Sequence, residues 1–275
     1  MDGYHFSLLV LAGLFGVAIG SFLNVVIFRL RSGMKLTGRS RCMACSKTLT
    51  PRMLVPLFSY LFQRGRCAYC SVRISPQYFL VEAALGVIFA VIVVVHQFDP
   101  LHTTLVEATW VIIDALIWTI FLGITVYDLR HKIIPDSFSF ALAISAGVLL
   151  LLKWKFGLIP TYYIPFLDYV PSWIDFAAGP FLAIPFALLW FFSGGRAMGL
   201  GDAKLALGLG WFLGFSYGVS AVILAFWVAF FPSIALLLLR GKNFTMKSEI
   251  PFAPFLVIGA FLTYAFGVDI LGWSF

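Results

Sequence analysis

Charge is what this sequence has least of. Asp, Glu, Lys and Arg together make up 11% of the 275 residues, against 61% that are hydrophobic. Soluble domains carry about 25% charged residues, so this composition excludes an ordinary water-soluble globular chain. Acids are the scarcer sign. There are 12 in all, and none from Arg29 to Arg73, a stretch that holds ten Lys or Arg residues. Cysteine is limited to four, all within residues 42–70, which excludes a disulfide-dense scaffold. No low-complexity linker and no internal repeat stand out. The net charge of +7 raises the question of nucleic acid. A basic cluster confined to one loop of an apolar chain is instead the mark of the cytoplasmic side of a membrane protein. No nucleic-acid partner is expected, whereas the bilayer itself is a partner and anionic lipid headgroups suit the basic loop.

What the chain has in their place is apolar length. A run of ~20 apolar residues crosses a bilayer core of ~30 Å as a helix. Eight spans are expected, near residues 6–28, 77–96, 107–127, 137–152, 173–193, 203–216, 218–239 and 252–271, the sixth and seventh separated only by a hinge at 214–218. The expected fold is all-α and polytopic, with about eight transmembrane helices and a small cytoplasmic zinc-binding segment. With the first basic loop inside, alternation places 17 of the 19 Lys and Arg residues in the cytoplasm and only Lys153 and Lys155 outside. Seven spans would put Arg240, Lys242 and Lys247 on the wrong side. Asp2 precedes the first span and Arg29 and Arg31 follow it, the reverse of a cleavable signal, so this span is expected to be retained. The organisation expected is a first transmembrane helix (1–30), a basic cytoplasmic segment that holds the four cysteines and binds zinc (31–76) and a seven-helix membrane core (77–275). An aromatic loop at 153–172, broken by Pro160, Pro165 and Pro171, is expected along the outer surface.

The four cysteines form two C-x-x-C pairs, Cys42 with Cys45 and Cys67 with Cys70, separated by 21 residues. Each pair puts two thiolates on one tight turn, and two turns complete a tetrahedral zinc set. A reducing cytoplasmic loop argues against disulfides, and two matched pairs suit a closed metal site better than a redox couple. Four protein ligands leave no open position, so the expected role is structural.

Carboxylates near a bilayer cost roughly 2.5–3.5 kcal/mol at the centre of a span, so each needs a reason. Asp128 closes the third expected span, in Tyr127-Asp128-Leu129-Arg130. Asp202 stands in Gly199-Leu200-Gly201-Asp202-Ala203-Lys204, just before the sixth. Topology places both at the cytoplasmic edge. Two carboxylates that meet share a proton, and such a pair can activate water and protonate a leaving group. Helix capping is the plainer role. It is favoured for Asp136, which follows Pro135 and precedes an apolar run, and for Asp202 it is compatible with catalysis. Gly199 and Gly201 allow the close approach a simple cap does not need. A helix N-terminus favours the anion at Asp202, which predicts that Asp128 carries the proton at rest. Asp114, about 20 Å outward from Asp128 at 1.5 Å per residue, is too far to join them and has no assigned role.

These residues resemble the type IV prepilin peptidases, bacterial membrane aspartic proteases of the GxGD type. The resemblance is carried by Gly20-Ser21-Phe22-Leu23-Asn24-Val25-Val26 with Arg29, by the paired C-x-x-C segment through Ile74-Ser75 and Val81-Glu82, by 128–136, and by 199–204. Ile250-Pro251-Phe252-Ala253-Pro254-Phe255 adds a supporting match. The resemblance implies an eight-span inner-membrane enzyme that cuts after a glycine at the cytoplasmic end of a prepilin or type II pseudopilin apolar segment. Asp128 and Asp202 fall on the catalytic positions, with Gly199, Gly201, Lys204 and Asp136 in support. It further implies N-methylation of the new N-terminal residue with S-adenosylmethionine, for which Gly20 and Glu82 are candidate residues. Glu82 has an alternative role as a partner of the arginine-rich loop. The family often carries carboxylates between the C-x-x-C pairs, where this chain has Thr50-Pro51-Arg52-Met53. A transporter or channel with a zinc-stabilised loop is the rival of another class, but it would place its acids near the midplane rather than the edge. A zinc scaffold without catalysis would not need the aspartates. The related archaeal preflagellin peptidases lack the cysteine segment.

Overall fold

Long apolar runs have no choice but to satisfy their own backbone, and they do so here as helices. The computed structural model describes residues 3–30, 38–100, 102–158, 162–164, 167–170, 173–238 and 251–272. Nine α-helices occur among them: α1 (Gly3–Arg29), α2 (Phe58–Phe62), α3 (Gln77–Val95), α4 (Leu105–His131), α5 (Asp136–Lys155), α6 (Ile174–Ser193), α7 (Leu200–Leu213), α8 (Phe215–Leu238) and α9 (Ala253–Phe266). Each of the eight expected spans is one of these helices. The ninth, α2, is a short turn of helix inside the cysteine segment. In the loop between α5 and α6, β1 (Tyr162–Ile164) pairs antiparallel with β2 (Leu167–Val170). The cluster Arg240, Lys242 and Lys247 lies outside the described residues.

Among the described residues six helices are long and apolar enough to cross a membrane, which makes this a multi-pass membrane protein. Of the eight helices on expected spans, α7 and α9 are the exceptions, with 14 residues each. At 1.5 Å per residue each spans about 21 Å, short of a ~30 Å hydrocarbon core. The expected hinge at 214–218 reduces to the single residue Gly214, whose φ of +79° breaks the helix between α7 and α8.

The chain divides into two compact units, 1–111 and 112–275. In the first, α1 lies along α3. The seam is made of glycine. A Cβ on Gly16 would sit 2.5 Å from the Leu85 carbonyl oxygen, and one on Gly20 would sit 2.8 Å from the Glu82 Cα. Small residues four apart let two helix backbones approach and pack by dispersion, the means available when lipid removes the hydrophobic drive. Gly20 thus has a packing role in this structure.

In the second unit α7 is the hub, packed against α5, α6, α8 and α9. It is buried nearly all round because its residues are small. A Cβ on Gly208 would meet Leu142 at 2.6 Å, and one on Gly210 would meet the backbone of Ala178 at 2.7 Å. Trp118 of α4 anchors an aromatic cluster with Phe121, Phe212, Phe261 and Tyr264, with ring centroids 5.2–5.7 Å apart. Asp114 lies beside it, buried, and accepts a hydrogen bond from the Tyr264 hydroxyl at 2.9 Å.

Candidate active site and cysteine cluster

The aspartates meet at helix ends. Asp128 lies in the last turn of α4 and Asp202 is the third residue of α7. Both are buried, and Asp202 is close enough to Asp128 to feel its charge. Gly199 is the N-cap of α7, and its N–H donates to the Asp202 carboxylate. That is the return half of a capping box, with the acid at the third helical position reaching back to the cap. The capping expected of Asp202 is therefore present in this form, with its carboxylate within electrostatic reach of Asp128.

The loop after Asp128 packs on the start of α7. Ile134 presses on Gly201 so closely that a Cβ there would lie 2.8 Å from the Ile134 Cβ. Beyond it, Asp136 opens α5 and forms an ion pair with Lys204 of α7. The cap expected of Asp136 is not made. Pro135 is the N-cap, no side chain caps this end, and the Asp136 carboxylate is turned to Lys204 instead. The ion pair is half-exposed at Lys204 and open at Asp136, so it contributes little energy by itself.

A third helix end completes the site. The N–H of Ala253, the first residue of α9, donates to the Asp128 carboxylate. Nothing in sequence spacing marks Ala253 or Ile134 as site residues. Ile134 lies inside the matched stretch 128–136 and Ala253 inside the supporting match at 250–255, but neither carries a titratable group that would single it out. Pro254 at the second helical position fixes the entry of α9 without needing an N–H of its own. Two buried carboxylates that feel each other's charge disfavour joint ionisation, so one can keep a proton while the other stays available as a base.

In the first unit Glu82 is buried, and its Oε2 accepts the Leu57 N–H at 2.7 Å, with Ser21 as a further partner. It ties the start of α2 to α3. Asn24 joins the same seam through the Tyr78 carbonyl and the Gln77 side chain.

The four cysteine sulfurs lie within 4.8 Å of one another, with Cys42 Sγ and Cys70 Sγ 3.8 Å apart. A tetrahedral zinc with ~2.3 Å Zn–S bonds spaces its sulfurs by ~3.8 Å, so the set fits that ion. N–H groups of Cys45 and Ala44 donate to Cys42 and bring it down to about 6. At Cys70 the Val72 N–H favours the anion, but desolvation and the neighbouring cysteines outweigh it and push the thiol up to about 12.

The two turns are copies. In one, Cys42 N–H bonds to Lys47, Ser46 N–H to Cys42 and Leu49 N–H to Ser40. In the other, Cys67 N–H bonds to Val72, Ser71 N–H to Cys67 and Ile74 N–H to Gly65. Residues 40–51 and 65–76 therefore form an internal repeat, which corrects the reading that the chain has none. The shared Arg-Cys-x-x-Cys-Ser pattern was visible in the sequence, though too short to register as a domain-scale period.

Comparison with known proteins follows the same division. Residues 14–96 match the family described as "Bacterial Peptidase A24 N-terminal domain", and residues 115–238 match the "Type IV leader peptidase family". A protein of Aeromonas hydrophila named prepilin leader peptidase/N-methyltransferase is 30% identical, over 98% of this chain and 93% of its own. Proteins of the same name from Dichelobacter nodosus (28%, over 94% and 91%) and Neisseria gonorrhoeae (26%, over 92% and 89%) are also similar. No solved structure matches. With a relative at this identity along nearly the full length, and both family segments in order, the chain belongs to the type IV leader peptidase family.

Proposed function

We propose that this chain is a membrane aspartic endopeptidase that removes the leader peptide from type IV prepilins and type II secretion pseudopilins, cutting after a glycine, and then N-methylates the exposed residue. The observation that carries the first activity is the buried Asp128–Asp202 pair at converging helix ends. One carboxylate takes a proton from water, and the water oxygen attacks the scissile carbonyl carbon. The protonated partner donates to the carbonyl oxygen. Collapse of that adduct breaks the C–N bond, with the proton passing to the leaving amine. The pair titrates as a unit. The helix dipole favours the anion at Asp202, but the Ala253 N–H on Asp128 is a counterweight. Gly199, Gly201, Lys204 and Asp136 support the pair by position.

Structural zinc is proposed for Cys42, Cys45, Cys67 and Cys70. S-adenosylmethionine is the proposed donor and would supply a methyl group to the new N-terminal amine. Gly20 and Glu82 are proposed to serve that activity through packing of α1, α3 and α2 rather than by touching the donor. The bacterial inner membrane is the proposed location, with the aspartates facing the cytoplasm and the basic segment on anionic lipid. The placement of both acids at helix ends favours this over a transport path.

The test is incubation of the purified protein with a prepilin, with and without S-adenosylmethionine, read by mass. Expected are leader removal in both reactions and one added methyl group only with the donor. An uncut prepilin would overturn the reading. Cleavage without added methyl would leave a peptidase alone.

A further inference from the structure

The two cysteine turns, though copies in backbone, differ in what faces their arginine. Arg41 is bridged to Thr48 in the first, and Arg66 to Arg73 in the second. Like charges directly opposed across an antiparallel bridge repel. Arg64 adds a third cation, and with Tyr60, Gly65 and Ser75 these arginines line a concavity of about 550 Å³. No carboxylate among the described residues forms an ion pair with Arg64, Arg66 or Arg73. The acid that reaches this segment, Glu82, is buried and accepts the Leu57 N–H. The first turn, 25 residues earlier, carries as many cations, Arg39, Arg41 and Lys47, but sets the neutral Thr48 across its bridge, so the fold does not require two arginines face to face.

Apolar surface lies beside it. On α2, Phe58, Leu61 and Phe62 are exposed, Phe62 by 84%, although this helix is far too short to cross a bilayer. Arginines beside outward-facing aromatic and aliphatic side chains match the boundary between headgroups and acyl chains. There the cation meets phosphate and the ring enters hydrocarbon.

We propose that the concavity between α2 and the second cysteine turn binds the headgroup phosphate of an anionic phospholipid, with α2 dipped into the acyl boundary beside it. This rests on the reading of residues 31–76 as a basic segment at the membrane surface, and it names the residues that make the contact specific.

The test uses the full-length, zinc-loaded protein in neutral detergent, with native mass spectrometry after addition of phosphatidylglycerol or phosphatidylcholine. The wild type is expected to retain phosphatidylglycerol in preference. Arg73→Thr, which restores the neutral partner of the first turn, and Arg64→Gln, outside the turn, should each lower that retention about fivefold, taking ~1 kcal/mol per cation. Phe62→Ser should lower retention of both lipids, and Arg52→Gln should change neither. Zinc content of each variant checks that the turns are intact, and Arg64→Gln keeps the test open if Arg73→Thr loses metal. A loss with Arg52→Gln equal to that with Arg73→Thr would overturn the specific site while leaving the general attraction. Equal retention of the two lipids by the wild type would overturn both. Displacement of the retained lipid by inorganic phosphate would reassign the cavity to a free anion and overturn the lipid.

Discussion

Cys42 and Cys45 are three residues apart, and the same turn recurs 25 residues later. Asp128 and Asp202 are 74 residues apart and meet only because the ends of α4 and α7 converge, with α9 beside them. The cysteine cluster is built from local backbone geometry, written twice. The aspartate site is built from packing, with Ile134 against Gly201 and the Ala253 N–H on Asp128. A site of the first kind is expected to stand or fall with the metal proposed for it. One of the second kind is sensitive to volume at helix junctions that carry no chemistry of their own.

That contrast can be broken most forcefully at the aspartates. Asp128→Asn or Asp202→Asn removes a proton-transferring group, and prepilin cleavage should fall on the order of 10³-fold or more, with helix content by circular dichroism unchanged. Gly201→Ala adds one methyl group to a contact without space. A misplacement of ~1 Å can cost roughly 10²-fold in rate, so a loss of that order is expected in the same assay. Normal cleavage by Gly201→Ala would show that the contact with Ile134 does not position the site. Cys42→Ser with Cys67→Ser should reduce bound zinc from one per chain to a trace and open residues 38–76 to limited proteolysis. Cleavage should fall by less than about tenfold, because a closed structural site takes no part in hydrolysis. Loss of cleavage as complete as in the aspartate variants would mean that the metal segment contributes to the reaction. Lys204→Met is the mildest change. An exposed ion pair contributes about 0.2–1 kcal/mol, so cleavage should change by no more than about fivefold.

The sequence was informative wherever a residue type names its own chemistry. Asp128, Asp202 and the four cysteines could be singled out because acids and thiols are costly or reactive in such a chain, and each expected span was found as a helix. Position was harder to read. Asp136 has the local signature of a cap, but the competing attraction of Lys204, 68 residues away, took its carboxylate. Ala253 acts through a backbone N–H that every residue but proline possesses, so no side chain announces it. The length of α9 was also hidden, because flanking apolar residues extend the hydropathy run past the point where Gly267 ends the helix.

The central claim is that Asp128 and Asp202 act on the prepilin as one unit. Its most direct test is prepilin cleavage by Asp128→Asn, Asp202→Asn and the double variant, at equal protein and with intact helix content. The pair predicts that each single change costs nearly as much as both together, since half of a proton-sharing dyad does not work. Near-normal cleavage by either single variant, or losses that simply multiply in the double variant, would contradict it.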